Sequence, residues 1–299
     1  MSQILYTCPF VPAEWIAAHG LRPARIMPQS TGMHAAVAPI EGLCPFARAF
    51  ANHVLGDSTS CGAIFTTACD QMRRVRDLVV DGTCVETFLL NLPKTWRNAA
   101  CTQLYIDELG RMGRWLYTLG GCVPSADALA ATMLDFDGRR QAMPDRRVAD
   151  SGGVRLALVG GPLLAGESGL FDLVVRNGGR IVFDATETGE RTLPDRFDPA
   201  LLRQDPVGEL ARAYFDSIPA VWKRPNTGLF DWLTRECTER RVQGVICRRL
   251  VWCDLWHAEV HRLRDALHVP LLDLDVSDDS PAAGERTAGR VQAFLETLQ

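Results

Sequence analysis

Short apolar runs closed by turn residues alternate along this chain with longer amphipathic stretches, and no other feature limits its fold so sharply. A strand that returns through a helix before its neighbour pairs is the unit of a parallel sheet covered on both faces. In the first half, strand-like runs fall at 24–27, 63–67 and 85–90, with helical stretches at 14–19, 45–54 and 70 to about 80. Residues 94 to about 141 carry no strand signal. They predict two helices, broken at Gly120–Gly121 and Pro124, the second capped by Ser125. The polar stretch at 142–153 marks a boundary. Beyond it, strands at 155–159, 180–184, 244–251 and 269–274 alternate with helices at 169–177, about 208–215, 227–240, up to 268 and from 284. A long polar loop runs through about 204. At roughly 150 residues per domain, the 299 residues suffice for two. The expectation is an α/β protein with two Rossmann-like parallel-sheet domains in tandem. One spans 1–147 with a helical insertion at about 94–141, and the other spans 148–299.

The ten cysteines ask for a second explanation. Disulfide frameworks belong to small secreted domains, and this chain is neither small nor opened by a basic-then-apolar leader. No run reaches the roughly 18 apolar residues that a spanning helix needs. A soluble, cytoplasmic protein is expected, with thiols serving as buried small hydrophobes or as metal ligands. The 32 basic side chains against 36 acidic ones give a formal charge of −4, which argues against nucleic acid and against a polybasic membrane contact.

An internal echo selects among the thiols. CGAIFTTACDQMRR and QGVICRRLVWCDLWHAE each run through an apolar strand into Cys-Asp and then a helix. Ligands of open parallel sheets gather beyond the carboxyl ends of the strands, where Cys69 and Cys253 are expected. Facing domains would turn both thiols into one cleft. Cys44 precedes Pro45, a residue suited to the first turn of a helix, so it too sits at a helix start. Unpaired N–H groups there favour thiolate and would lower its pKa, and Asp70 and Asp254 are placed to cap the helices behind. The spacings match no local ligand signature. On residue physics alone, a shared metal site and three separate structural cysteines both stand.

Over most of its length the chain resembles the 2-hydroxyacyl-CoA dehydratase D-component family, which includes benzoyl-CoA reductase subunits and double-cubane cluster proteins. The residues that carry the resemblance are YTCPFVPAEWIAAHGLRPARI near the start, CPFAR at Cys44 and TTACDQMRR at Cys69. LVGGPL, GGRIVFDATETGER and YFDSIPAVWKRPN follow, then GVICRRLVWCDLWHAE at Cys253 and ERTAGRVQAFLETL. The resemblance implies that Cys44, Cys69 and Cys253 bind one [4Fe-4S] cluster in the interdomain cleft, leaving one iron without a cysteine. It further implies that one low-potential electron turns a bound CoA thioester into a ketyl radical anion, which expels the 2-hydroxyl group. Partners implied are an acyl-CoA substrate, a homologous second subunit or a second copy in a homodimer, and a separate ATP-dependent electron donor. Cys8 resembles an N-terminal cysteine of part of the family, a candidate fourth ligand or contributor to a larger double-cubane cluster.

The chain departs from the family pattern at Glu187 and Ala220, where cysteines are often seen, and it is short for the family. Other signals are weaker. LVGGPLLAGESG lacks the dinucleotide and phosphate-loop fingerprints and is expected to be a tight turn closing a strand. His257 and His261 stand one helical turn apart without a third ligand, and Glu14 after Pro12 is expected to cap a helix. Arg73, Arg74 and Arg76 are expected on a solvated helix face. The functional expectation is an iron–sulfur subunit of a dehydratase (lyase) or benzoyl-CoA-reductase-like oxidoreductase. The alternative is a non-catalytic electron-transfer subunit, or a double-cubane-type reductase of a small non-CoA substrate.

Overall fold

The computed structural model describes residues 2–31, 35–142, 152–277 and 281–299. The first lobe contains β1 (Gln3–Tyr6), α1 (Ala13–Ala18), β2 (Arg22–Arg25), α2 (Pro45–Gly56), β3 (Gly62–Thr66), α3 (Asp70–Val79), β4 (Glu86–Leu90), α4 (Ala99–Thr118) and α5 (Ala126–Ala142). Its strands are parallel in the order β2-β1-β3-β4. The second sheet is built from β5 (Val154–Gly160), β6 (Gly179–Ala185), β7 (Gly244–Leu250) and β8 (Leu271–Val276), parallel in the order β6-β5-β7-β8. Around it lie α6 (Gly169–Arg176), α9 (Thr227–Glu239), α10 (Asp254–His257), α11 (Val260–Leu267) and α12 (Pro281–Glu296), whereas α7 (Pro199–Gln204) and α8 (Pro206–Ala211) pack on α4 and α5 of the first lobe. Both sheets therefore share one strand order, which is the physical content of the sequence echo.

The helical insertion forms as expected. Asn98 caps α4 by accepting from the Cys101 N–H at 2.9 Å, and Ser125 Oγ accepts from the Ala128 N–H at 3.2 Å. Three sequence expectations need correction. β1 has no counterpart among the expected strands, although it is central and buried. The long polar loop contains α7, opened by Asp198, whose carboxylate accepts from the Ala200 N–H at 2.7 Å. The helix expected up to 268 is two helices, α10 and α11, so His257 and His261 do not share one continuous face. The domain division at 147/148 falls outside the described residues.

Each sheet is covered on both faces. In the first lobe, α1 and α4 pack on one face, where Ile4, Tyr6 and Tyr105 meet Phe215 and Trp222 from the second half of the chain. On the other face α2 and α3 contribute Phe50 and Val75, joined by Leu164 and Leu250 of the second lobe. Apolar side chains thus cross between the lobes. That continuity holds the two sets of strand ends against each other. Among the described residues no helix is long and apolar enough to cross a membrane.

Candidate active-site crevice

In a sheet of order 2-1-3-4 the chain leaves the first strand in one direction and later returns on its other side, opening a crevice at the carboxyl ends of the two central strands. Here those strands are β1 and β3 in one lobe and β5 and β7 in the other. Cys8 follows β1, Cys69 follows β3, Gly161 follows β5 and Cys253 follows β7. All four residues, with Cys44, line one crevice of about 660 Å³. Thr7, Thr66, Glu187 and Trp256 are also on its wall. The sequence-selected thiols Cys44, Cys69 and Cys253 are thereby brought together, with Cys8 beside them.

Local geometry explains how three thiols arrive at helix starts. Cys44, Cys69 and Cys253 are themselves the N-cap residues of α2, α3 and α10. Asp70 and Asp254 lie one position inside their helices, so neither is the N-cap residue expected; Asp70 is exposed and pairs with Arg73 at 3.7 Å. No thiol completes a capping hydrogen bond. The N–H groups of Phe46 and Ala47, Gln71 and Met72, and Trp256 nonetheless approach the three sulfurs and favour their thiolate forms. Burial outweighs that field. It pushes Cys69 and Cys253 up to about 12, raises Cys44, and lifts Cys8 to about 11. The lowered thiol pKa expected from helix starts is therefore reversed, because desolvation of the anion costs more than a few N–H dipoles return. A metal entering this crevice must displace protons.

Fixed charge surrounds the thiols. Arg248, fully buried in β7, donates through Nη1 to the Pro162 carbonyl at 2.8 Å and pairs with Glu167. Arg191, 2% exposed, donates to the carbonyls of Ala185, Pro219 and Gly160. Arg25 of β2 reaches across the lobes, donating to the Thr7 carbonyl at 3.1 Å, to Thr192 Oγ1 at 3.2 Å and to the Glu187 carbonyl. Arg248 is paired with Glu167 and Arg191 faces Glu187 on the same wall, while Arg25 meets carbonyl and hydroxyl oxygens, so the charge beside the thiols comes mostly in opposed pairs. Trp256 is only 1% exposed, and its indole Nε1–H has no hydrogen-bond partner. A Cβ built on Gly161 would lie 3.8 Å from that nitrogen, which places it against the crevice wall. Buried donors without acceptors are rare and costly, about 1–3 kcal/mol, so an acceptor in the crevice would satisfy this one. Sequence reasoning missed Trp256 and Arg248 as parts of the site.

Among the described residues no group of three or more His, Cys, Asp or Glu side chains converges to hold a single metal ion. A single ion draws thiolates to about 2.3 Å from one point, whereas a cluster receives them at separate corners. The donor set of thiols and an orphaned N–H fits an iron–sulfur cluster.

The other candidates resolve differently. Glu14 does not cap α1. It is fully buried, 2.5 Å from Arg140 Nη1 and accepting from Tyr214 Oη at 2.6 Å. The loop after β5 is closed by Glu167, which accepts from the Leu164 N–H at 2.6 Å, consistent with a tight turn. Arg73 and Arg74 are exposed and Arg76 half-buried.

Comparison with known proteins gives one strong finding. A family model described as 2-hydroxyglutaryl-CoA dehydratase, D-component, matches residues 8–145 and 139–298. No match was found among curated proteins. Among solved structures, the SBP FpvC from Pseudomonas aeruginosa in complex with Mn2+ is 12% identical, with 100% of this chain and 99% of that chain covered and a TM-score of 0.29. A Mn-bound periplasmic metal binding protein from candidatus Liberibacter asiaticus is 9% identical, with 100% of each chain covered and a TM-score of 0.26. The laminin-binding protein Lbp of Streptococcus pyogenes is 10% identical, with 100% of each chain covered and a TM-score of 0.26. At such scores these likenesses carry no argument, and the two-lobed α/β fold rests on the sheets themselves.

Proposed function

The chain belongs to the 2-hydroxyglutaryl-CoA dehydratase D-component family, and from that premise we propose that it is the iron–sulfur subunit of a 2-hydroxyacyl-CoA dehydratase or benzoyl-CoA-reductase-like enzyme. Cys44, Cys69 and Cys253 would hold a [4Fe-4S] cluster, with Cys8 beside it. The single observation that carries the reading is that these four thiols line one crevice between the carboxyl ends of two sheets. When bound, such a cluster supplies low-potential single electrons and, with three cysteine ligands, an iron that keeps a position open to oxygen.

The protein's own groups do the rest. Backbone N–H groups at the starts of α2, α3 and α10 favour the thiolates, and Arg248 and Arg191, each facing a carboxylate, stand beside them. Trp256 Nε1 can donate to a sulfur acceptor. Phe46, Met72, Leu250 and Leu255 line the apolar side of the crevice and exclude water. An acyl-CoA substrate, a homologous second subunit or second copy, and a separate ATP-dependent electron donor complete this reading by analogy with the family.

The test is anaerobic reconstitution with iron and sulfide, followed by metal and sulfide quantitation and electron paramagnetic resonance. The wild-type chain is expected to take up both and give a brown, oxygen-sensitive protein with a reducible cluster. Cys44→Ser, Cys69→Ser and Cys253→Ser should each lose most of it. A colourless wild-type protein that retains no iron would overturn the proposal.

A further inference from the structure

The crevice that gathers the thiols also holds a carboxylate. Glu187 stands in the turn after β6 and lines the same wall as Cys8, Cys44, Cys69 and Cys253. Its main chain is fixed from two sides: its N–H donates to the Gly161 carbonyl at 3.4 Å, and its carbonyl accepts from Arg25 of the other lobe. Its side chain is 26% exposed and makes one contact among the described residues, Oε1 to Arg191 Nη2 at 3.6 Å. That distance is an ion pair without a formed hydrogen bond. Arg191 is held independently by three backbone carbonyls, so it orients the carboxylate without consuming it. Among the described residues the second carboxylate oxygen has no protein donor.

A carboxylate facing four thiols is an awkward neighbour. Each thiol becomes an anion when it takes a metal, and like charges crowded into a buried space oppose one another. The arrangement becomes favourable when the carboxylate binds the same metal group. Cys8 is the competing donor, but it has its own partners: its thiol is met by Thr66 and by the Phe10 N–H. Cys44, Cys69 and Cys253, by contrast, lie close enough to influence one another electrostatically.

We propose that Glu187 is an exchangeable oxygen ligand of the metal group held by Cys44, Cys69 and Cys253, occupying the iron that three thiolates leave without a protein sulfur until a substrate oxygen displaces it. This rests on the iron–sulfur reading above. One Fe–O bond forms to the anionic carboxylate, a water or hydroxide leaves, and no electron is transferred. A carboxylate is a harder donor than a thiolate, so it marks one iron as chemically different from its three sulfur-ligated neighbours.

The experiment is anaerobic reconstitution of the full chain with 57Fe and sulfide, read by Mössbauer spectroscopy and iron content. In the wild type, one iron in four should give a distinct subspectrum. Glu187→Gln should lose that subspectrum and release one iron of four on brief oxidation, leaving a three-iron paramagnetic signal. Glu187→Cys should regain four irons with the distinct subspectrum erased, which also shows that the Gln variant lost a ligand and not its fold. If Glu187→Gln and wild type load four irons with identical spectra, or if Cys8→Ser alone removes the distinct iron, the proposal fails while the cluster reading stands. A wild-type chain that takes up neither iron nor sulfide overturns both.

Discussion

Replacing Glu14 tests how the first lobe is tied to the second half of the chain. The carboxylate is fully buried, with Oε1 at 2.5 Å from Arg140 of α5 and Oε2 at 2.6 Å from Tyr214 Oη. Three distant segments therefore meet at one side chain. Breaking a buried ion pair by removing one partner costs about 3–5 kcal/mol, because the surviving charge stays desolvated. The Arg140 side chain is 17% exposed and lies over Phe197 at 5.3 Å, so water and the ring relieve part of that cost. Glu14→Ala is accordingly expected near the lower bound, about 3 kcal/mol. Glu14→Gln keeps the shape and loses the charge, for about 2 kcal/mol, and Tyr214→Phe removes one charge-assisted hydrogen bond, for about 1–2 kcal/mol. Since Glu14→Gln already weakens the bond that Tyr214→Phe deletes, the double variant should fall short of the sum by about 1 kcal/mol. Urea unfolding followed by tryptophan fluorescence measures the wild type and all four variants. A Glu14→Ala loss below about 1 kcal/mol, the level of an exposed pair, or strict additivity of Glu14→Gln and Tyr214→Phe, would refute the reasoning.

Three further outcomes follow from other features. Burial pulls the Lys223 amine down to about 7, partly offset by Asp216; since the unfolded chain then holds more protons between about pH 7 and 10, stability should rise over that window and flatten in Lys223→Met, whereas parallel pH profiles would contradict it. Gly160 ends β5 at φ +150°, and a Cβ there would lie 1.8 Å from the Arg248 carbonyl oxygen, so Gly160→Ala should cost more than the roughly 1–3 kcal/mol of backbone strain alone and abolish soluble expression or lower the melting temperature sharply. Thiol labelling of the native protein followed by peptide mapping should modify exposed Cys84 and Cys122 first, with Cys101, Cys237 and Cys247 reacting only on unfolding.

What could be read from the sequence was whatever repeats locally. Strand–helix alternation located seven of the eight strands among the described residues, most of them short apolar runs closed by turn residues; β2, Arg22–Arg25, is not apolar and begins two residues before the expected 24–27. β1 escaped because Gln3–Tyr6 is four residues with no alternation and no turn before it, although its place between β2 and β3 makes it central. α7 carried a readable signal in Asp198-Pro199, an N-cap followed by proline, which the surrounding polarity concealed. Cys69 and Cys253 were legible from the repeated Cys-Asp at strand ends, and Cys44 from the Pro45 that follows it. Long-range partners were not. Arg248 looks like the polar end of a strand until Glu167, far earlier in the chain, is found beside it. Glu14 looks like a helix cap until Arg140 and Tyr214 arrive. Trp256 looks like ordinary core, and only the packed structure shows its nitrogen without a partner.

The choice of cysteine at three helix starts has a consequence for engineering. Serine is among the residues that best close such a start, because its oxygen accepts from the free amide two or three positions on, worth about 1 kcal/mol over a non-capping side chain. The sulfurs of Cys44, Cys69 and Cys253 make no such bond. A screen that selects this chain for heat resistance in air would therefore drift toward serine at those very places, and its winners would be sturdier proteins with the crevice thiols bred out of them.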